Sequence, residues 1–250
     1  MYTETEGIVF RQIKSIRGRQ IIVLLTERYG KISAGTSIPG KGKNRTSLAI
    51  RPFTYGRYEI NKLRELYHLN RAETVNSHYK IGEDVDKYLH ASHALEFTEK
   101  LLPEGAPAPR ILALIAEYFK IMERSGGDCA TLTLAYQIKA LKIWGVRPRL
   151  DSCARCGGRE GLSFFSAGEG GVVCQNCVTV LKENGDEALL YGPNFDIINI
   201  MSYFLDHPLG GFARLSLDGR ILKALRQVVK EYAAYHMDIG TLNSDIFFTE

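Results

Sequence analysis

Cys153-x2-Cys156 and Cys174-x2-Cys177 are two pairs of soft ligands with 17 residues between them. A two-residue gap lets both thiolates of a pair face one ion, and Gly157 and Gly158 relieve the sharp turn this requires. Two such knuckles complete a tetrahedral four-sulfur shell, the pattern of a structural Zn2+ site, with no position left for a reactive water. Between them, Leu162-Ser163-Phe164-Phe165, a glycine-rich turn from Gly168 to Gly171 and Val172-Val173 spell the hairpin of a zinc ribbon. A redox dithiol is the competing reading, but no thioredoxin-like βαβ pattern surrounds either pair. Cys129, alone at a helix start, reads as packing.

Other chemical signals fall short. Gly35-Thr36-Ser37-Ile38-Pro39-Gly40-Lys41 approaches a phosphate-binding P-loop, yet position 42 is Gly where the magnesium hydroxyl belongs, and Pro39 removes an amide donor. His90 and His93 stand at i, i+3 with no third ligand in register, and read as ordinary surface histidines. No Ser/His/Asp or Cys/His arrangement and no isolated acid pair stands out. The expectation is a protein that is not an enzyme.

Basic residues are the second informative set. The formal charge is only +4, but residues 1–80 hold 15 Lys and Arg against 6 Asp and Glu, while residues 81–250 hold 17 against 22. A third with a balance of +9 joined to a remainder of −5 reads either as a polyanion-binding module or as a solvated basic surface, and composition does not choose between them. Lys41, Lys43 and Arg45, with Arg51 nearby, lie in a loop whose small residues let each cation reach a separate phosphate. Arg11, Lys14, Arg17 and Arg19 form a second basic segment at the first strand connection. Alternation along Phe53–Ile60 sets Phe53, Tyr55, Arg57 and Glu59 on one face, a composition for stacking bases beside a phosphate track. The plainer alternative is that Phe53 and Tyr55 close a core.

These residues need a scaffold. Gly7–Phe10, Ile21–Leu25, Tyr29–Ala34 and Phe53–Ile60 read as short strands, with Ser37–Ile50 as a Gly-, Lys- and Arg-rich connection. Four or five strands in 80 residues without a long helix match a small closed barrel of OB-fold size. From Glu83 the period becomes helical. Val85, Tyr88, Leu89 and Leu95 mark one helix, and Ile111, Leu114, Ile115, Tyr118, Phe119 and Met122 mark a second. A third runs from the N-cap Asp128 to Gly145. Short connections predict that these three pack as an antiparallel bundle. Stripes around Ile197–Leu205 and Leu222–Ala233 add two more helices. The expected architecture is thus α+β and multidomain: an OB-fold barrel over residues 1–80, then a helical domain over 81–250 with a four-cysteine zinc ribbon inserted at 150–180. At 250 residues and 45% hydrophobic composition the chain can bury its own core. No apolar run is long enough for a transmembrane helix, and the acidic start has no signal-peptide character, which predicts a cytoplasmic protein.

Assembled in this order, the residues resemble the bacterial RecO family. The run Gly145-Val146-Arg147-Pro148-Arg149-Leu150-Asp151-Ser152-Cys153-Ala154-Arg155-Cys156-Gly157-Gly158 is the most specific element. Glu6–Val9, Arg51–Tyr55 and Leu225–His236 add to it, whereas Ser15–Arg19 departs from the turn usual there. The resemblance implies a recombination mediator, working at the nucleoid, that binds single- and double-stranded DNA and anneals complementary strands. It also implies association with RecR, and displacement of single-stranded-DNA-binding protein so that RecA can load. It implies, too, that the helical domain recognises that protein's acidic C-terminal tail. Lys139, Lys142 and Trp144, cations beside apolar groups near the end of the third helix, are the candidate peptide residues. A zinc-ribbon RNA-binding or ribosome-associated factor is the alternative reading of the same barrel.

Overall fold

The computed structural model describes residues 2–14, 20–39, 45–185, 189–192 and 195–248. The chain packs as two compact units, one comprising the residues up to Arg124 together with those from Ile246 onward, the other Ser125–Asp245.

The first unit is built on five strands, β1 (Tyr2–Lys14), β2 (Gln20–Thr26), β3 (Gly30–Thr36), β4 (Tyr55–Leu63) and β5 (Leu66–Asn76). They close in the order β1-β2-β3-β5-β4, and β4 returns to β1. Closure depends on the 13-residue β1, whose first half pairs with β4 and whose second half pairs with β2, bending at an irregularity between Val9 and Arg11. Gly7 sits where β1 is flanked on both sides; a Cβ there would lie 2.5 Å from the Leu25 carbonyl oxygen. The last seam is a short parallel pairing of residues 34–36 with 67–69. Val9, Ile22, Leu24, Ile32, Tyr58, Ile60 and Leu69 fill the interior. The buried Tyr58 hydroxyl donates to the Ala49 carbonyl at 2.9 Å, which satisfies its one polar atom.

Two sequence expectations shift here. The Ser37–Ile50 connection contains a short helix, α1 (Arg45–Ala49), and the fourth strand begins at Tyr55, two residues later than the alternation predicts. Phe53 is therefore not on the strand face with Tyr55. It has φ 70° and is buried edge-on between Tyr88 and Phe119, at 5.7 and 5.5 Å between ring centres. Those rings come from α2 (Val85–Leu101) and α3 (Pro109–Arg124), which belong to the barrel's unit.

α4 (Cys129–Trp144), the third helix of the expected bundle, lies in the second unit and packs there against α6 (Phe195–Asp206) and α7 (Gly219–Met237). Its bounds follow local chemistry. Asp128 accepts hydrogen bonds from the Ala130 amide and the Thr131 hydroxyl, and Gly145 ends the helix at φ 101°. Every residue from Cys129 to Ile138 is buried, which makes α4 the central helix of this unit. The unit also holds β6 (Leu162–Ser166), β7 (Gly171–Cys174), α5 (Gln175–Glu183) and β8 (Leu190–Tyr191), with the sheet order β7-β6-β8.

Candidate metal centre and barrel surface

The four cysteines converge from two local turns. In the first, the Cys153 amide donates to the Gly158 carbonyl at 2.7 Å and the Gly157 amide returns to the Cys153 carbonyl at 2.9 Å, a tight loop that Gly157 permits at φ 78°. The incoming chain lies alongside β7. Arg149 and Gly171 exchange backbone hydrogen bonds through their neighbours, and a Cβ on Gly171 would fall 2.1 Å from the Arg149 oxygen. In the second turn, Cys174 ends β7 and caps α5, with Cys177 in the first helical turn. A helix N-terminus favours negative sulfur. The antiparallel β6–β7 hairpin fixes one turn against the other, and Phe164, Val173, Val178 and Leu181 pack around the buried Cys153, Cys174 and Cys177.

All four sulfurs lie within 4.8 Å of one another, and none forms a disulfide. Cys156 Sγ and Cys174 Sγ are 3.7 Å apart. A tetrahedral thiolate site with metal–sulfur bonds near 2.3 Å has edges of about 3.8 Å, so this separation suits a shared ion. The Cys174 amide also donates to Cys153 Sγ at 3.4 Å. Burial acts to raise the Cys153 thiol, but amide donors from Cys156, Cys174 and Arg155 outweigh it and hold the group at about 6. Cys177 is pushed up to about 12 by burial and by the neighbouring cysteines. One sulfur thus favours the anion while its neighbour keeps a proton, a division that a bound cation would remove. These four residues can hold a metal ion.

The ribbon is anchored to α7 within the same unit. His236 Nε2 lies 2.7 Å from the Ala167 carbonyl in the hairpin turn. The Tyr191 hydroxyl and the Gln227 amide both donate to Glu231, whose carboxyl burial raises.

On the barrel the basic candidates are dispersed. Arg11 faces outward from β1, and its Nε donates to Glu99 of α2 at 2.9 Å. Lys14 is exposed at the end of β1, and Arg51 is exposed in the turn after α1. Tyr55 and Arg57 share the outer face of β4, and both reach Glu6 of β1. The Tyr55 hydroxyl donates to one carboxylate oxygen at 2.5 Å, and Arg57 Nε approaches the other at 3.4 Å. Burial and then Glu6 push the Tyr55 phenol upward, so it remains a donor. Glu6, which residue patterns did not single out, is the centre of this group; only the β1–β4 register reveals it. Arg17, Arg19, Lys41 and Lys43, as well as the side chain of Arg45, lie outside the described residues.

On α4, Lys139 Nζ sits 5.8 Å above the Phe212 ring, and Lys142 Nζ donates to the Leu205 carbonyl at 2.9 Å, in the last turn of α6. Trp144 is half-buried nearby in sequence. Phe212 also meets Tyr203 and Phe204, so Lys139 borders an aromatic cluster that α4 alone does not contain. His90 and His93 are a correction: they are not surface residues but 5% and 7% exposed, and both rings lie against Phe248, at 4.6 and 5.1 Å.

A closed five-stranded barrel in one unit and a four-cysteine ribbon in the other define an OB-fold protein with an accessory ribbon whose cysteines can hold a metal. Comparison with known proteins is more specific. A family model described as "Recombination protein O N terminal" matches residues 1–78, and one described as "Recombination protein O C terminal" matches residues 82–245. A DNA repair protein RecO from Alkaliphilus metalliredigens (strain QYMF) is 27% identical over 98% of this chain and 97% of its own length. Another from Bacillus pumilus (strain SAFR-032) is 31% identical over 71% of this chain and 69% of its own. The chain belongs to the RecO family, and its role is in DNA repair and recombination. Among the described residues, no helix is long and apolar enough to cross a membrane.

Proposed function

We propose that this protein is a recombination mediator that binds single- and double-stranded DNA, anneals complementary strands and, with RecR, helps load RecA onto DNA coated with single-stranded-DNA-binding protein. Such a protein works on the nucleoid in the cytoplasm and turns over no substrate of its own. The observation that carries the reading is the match to both halves of the RecO family along nearly the whole chain, on a barrel whose residues 1–80 hold the positive balance. Phosphate contacts from Lys14, Arg51, Lys41, Lys43 and Arg45 would give affinity without sequence preference. Glu99 and Glu6 offset the charges of Arg11 and Arg57.

The metal of this reading is zinc, bound by Cys153, Cys156, Cys174 and Cys177. It would supply a redox-inert crosslink between the two knuckles, and the surrounding chain does the rest: amides point at sulfur, and the α5 N-terminus faces the thiolates. The tail of single-stranded-DNA-binding protein would dock its acidic residues near Lys139 and its apolar end beside the half-buried Trp144.

The deciding experiment is annealing of complementary oligonucleotides without ATP, with and without single-stranded-DNA-binding protein. Acceleration on the coated strands is expected. No acceleration on either bare or coated strands would overturn the mediator reading.

A further inference from the structure

The four sulfurs of the ribbon are not equivalent. Cys153, Cys174 and Cys177 are packed among Phe164, Val173, Val178 and Leu181, whereas Cys156 lies outside that cluster and is exposed. It belongs to a continuous exposed run, Arg155 to Gly161, that forms the tip of the first knuckle. Its sulfur is 3.7 Å from Cys174, a ligand from the other knuckle. Access to an oxidant and a second sulfur within reach are the two requirements of a reversible thiol switch, and they meet at Cys156. Arg155, beside it in the chain, is paired with Glu169 at 3.0 Å.

We propose that Cys156 is the oxidant-sensing ligand of this ribbon, and that hydrogen peroxide converts the Cys156–Cys174 pair to a disulfide with release of the metal. This rests on the zinc reading above. In the first step the Cys156 sulfur attacks peroxide: an S–O bond forms, the O–O bond breaks and hydroxide leaves, giving a sulfenic acid. In the second the Cys174 thiolate attacks that sulfur: the S–S bond forms, the S–O bond breaks and a second hydroxide leaves. The two thiolates lose two electrons and peroxide gains them. Closing 3.7 Å to a bond of about 2.0 Å moves the exposed loop, because Cys174 is held in β7. Only Cys153 and Cys177 then remain on the ion, half of a four-ligand shell, and the ion dissociates. A disulfide across the two knuckles keeps them together, so a thiol reductant and fresh metal restore the site.

The test uses the full chain, with its zinc content measured before any oxidant is added. Metal absent at that stage counts against the zinc reading and, with it, the release step. With metal present, peroxide should release one ion for each disulfide formed, read with a chromogenic chelator. Peptide mapping without reduction should join Cys156 to Cys174, and a sulfenic-acid trap should label Cys156 first. Cys156→His keeps four ligands while removing the exposed sulfur, and should slow release at least about tenfold. Should that variant lose zinc of itself, the trapping order in the native chain decides the matter. First labelling at a buried cysteine, a Cys153–Cys177 bond, retention of metal with intact thiols, or undiminished sensitivity of a zinc-loaded Cys156→His chain would each overturn the proposal.

Discussion

His78 follows β5, adopts φ 49° and buries its imidazole completely, with Nδ1 2.9 Å from the Glu123 carboxylate and Nε2 without a hydrogen-bond partner among the described residues. Burial holds the ring below its ordinary value of 6.5, and the bond to Glu123 only partly opposes this. The folded chain therefore takes up this proton less readily than the unfolded one. Above about pH 6.5 the group adds no pH dependence; as pH falls below that value, the unfolded state is protonated first and stability is lost. Melting temperature should fall between pH 7.5 and 5.5, and His78→Asn, chosen because Asn tolerates positive φ, should show a shallower fall. Equal slopes would remove His78 as the cause. Tyr55 allows a similar separation of roles. Tyr55→Phe loses the bond to Glu6 and should cost about 1–2 kcal/mol in urea unfolding, while leaving DNA affinity within about twofold. If the ring stacks on bases, Tyr55→Ala should weaken single-strand binding by about 1–3 kcal/mol. Equal affinities for the two variants would exclude stacking.

At the scale of elements, the barrel and the ribbon owe their stability to different causes. β1 is flanked by strands on both sides, and backbone at Gly7 cannot move away from a new side chain. Gly7→Val should destabilise the barrel by about 2–3 kcal/mol, whereas substitutions at exposed Lys14 should change stability by less than about 0.5 kcal/mol. With a metal held by its four cysteines, the ribbon's short strands, of five and four residues, would gain a crosslink. Chelation should therefore abolish hydrogen-exchange protection at residues 162–183 and leave the buried residues of α4 protected. Loss of protection in both would mean that the metal stabilises the whole second unit. Lys142 belongs to this scale as well. Its ammonium satisfies a carbonyl in the last turn of α6, where positive charge also suits the helix dipole, so packing accounts for it without a ligand.

For the molecule as a whole, the uneven charge predicts how DNA affinity responds to salt. Replacing Lys41, Lys43 and Arg45 together by alanine should weaken binding to all sequences alike. The log–log salt slope on single strands should fall by about 0.7 for each phosphate that is no longer neutralised. An unchanged slope would place the phosphate contacts on other residues. Since Arg11 and Arg57 are already paired with carboxylates, replacing either one should reduce the slope by less than that amount.

What could be read from residues alone was what depends on near neighbours in the chain. The four-cysteine cluster required only two-residue gaps and a hairpin between them, and α4 required only a 3.6-residue period, Asp128 before it and Gly145 after it. The RecO resemblance was legible for the same reason, since its most specific run is one continuous stretch from Gly145 to Gly158. Tertiary structure decided everything that joins distant segments. Strand register made Glu6 the partner of both Tyr55 and Arg57, and a turn at positive φ withdrew Phe53 from the face that alternation assigns it. Phe248, about 155 residues beyond His90 and His93, covered two histidines that their helix would have left in water. Exposure separated Cys156 from three chemically identical cysteines. Spacing specifies which atoms can meet locally; which of them face water, a carboxylate or a ring is set by packing between residues whose separation in sequence carries no pattern.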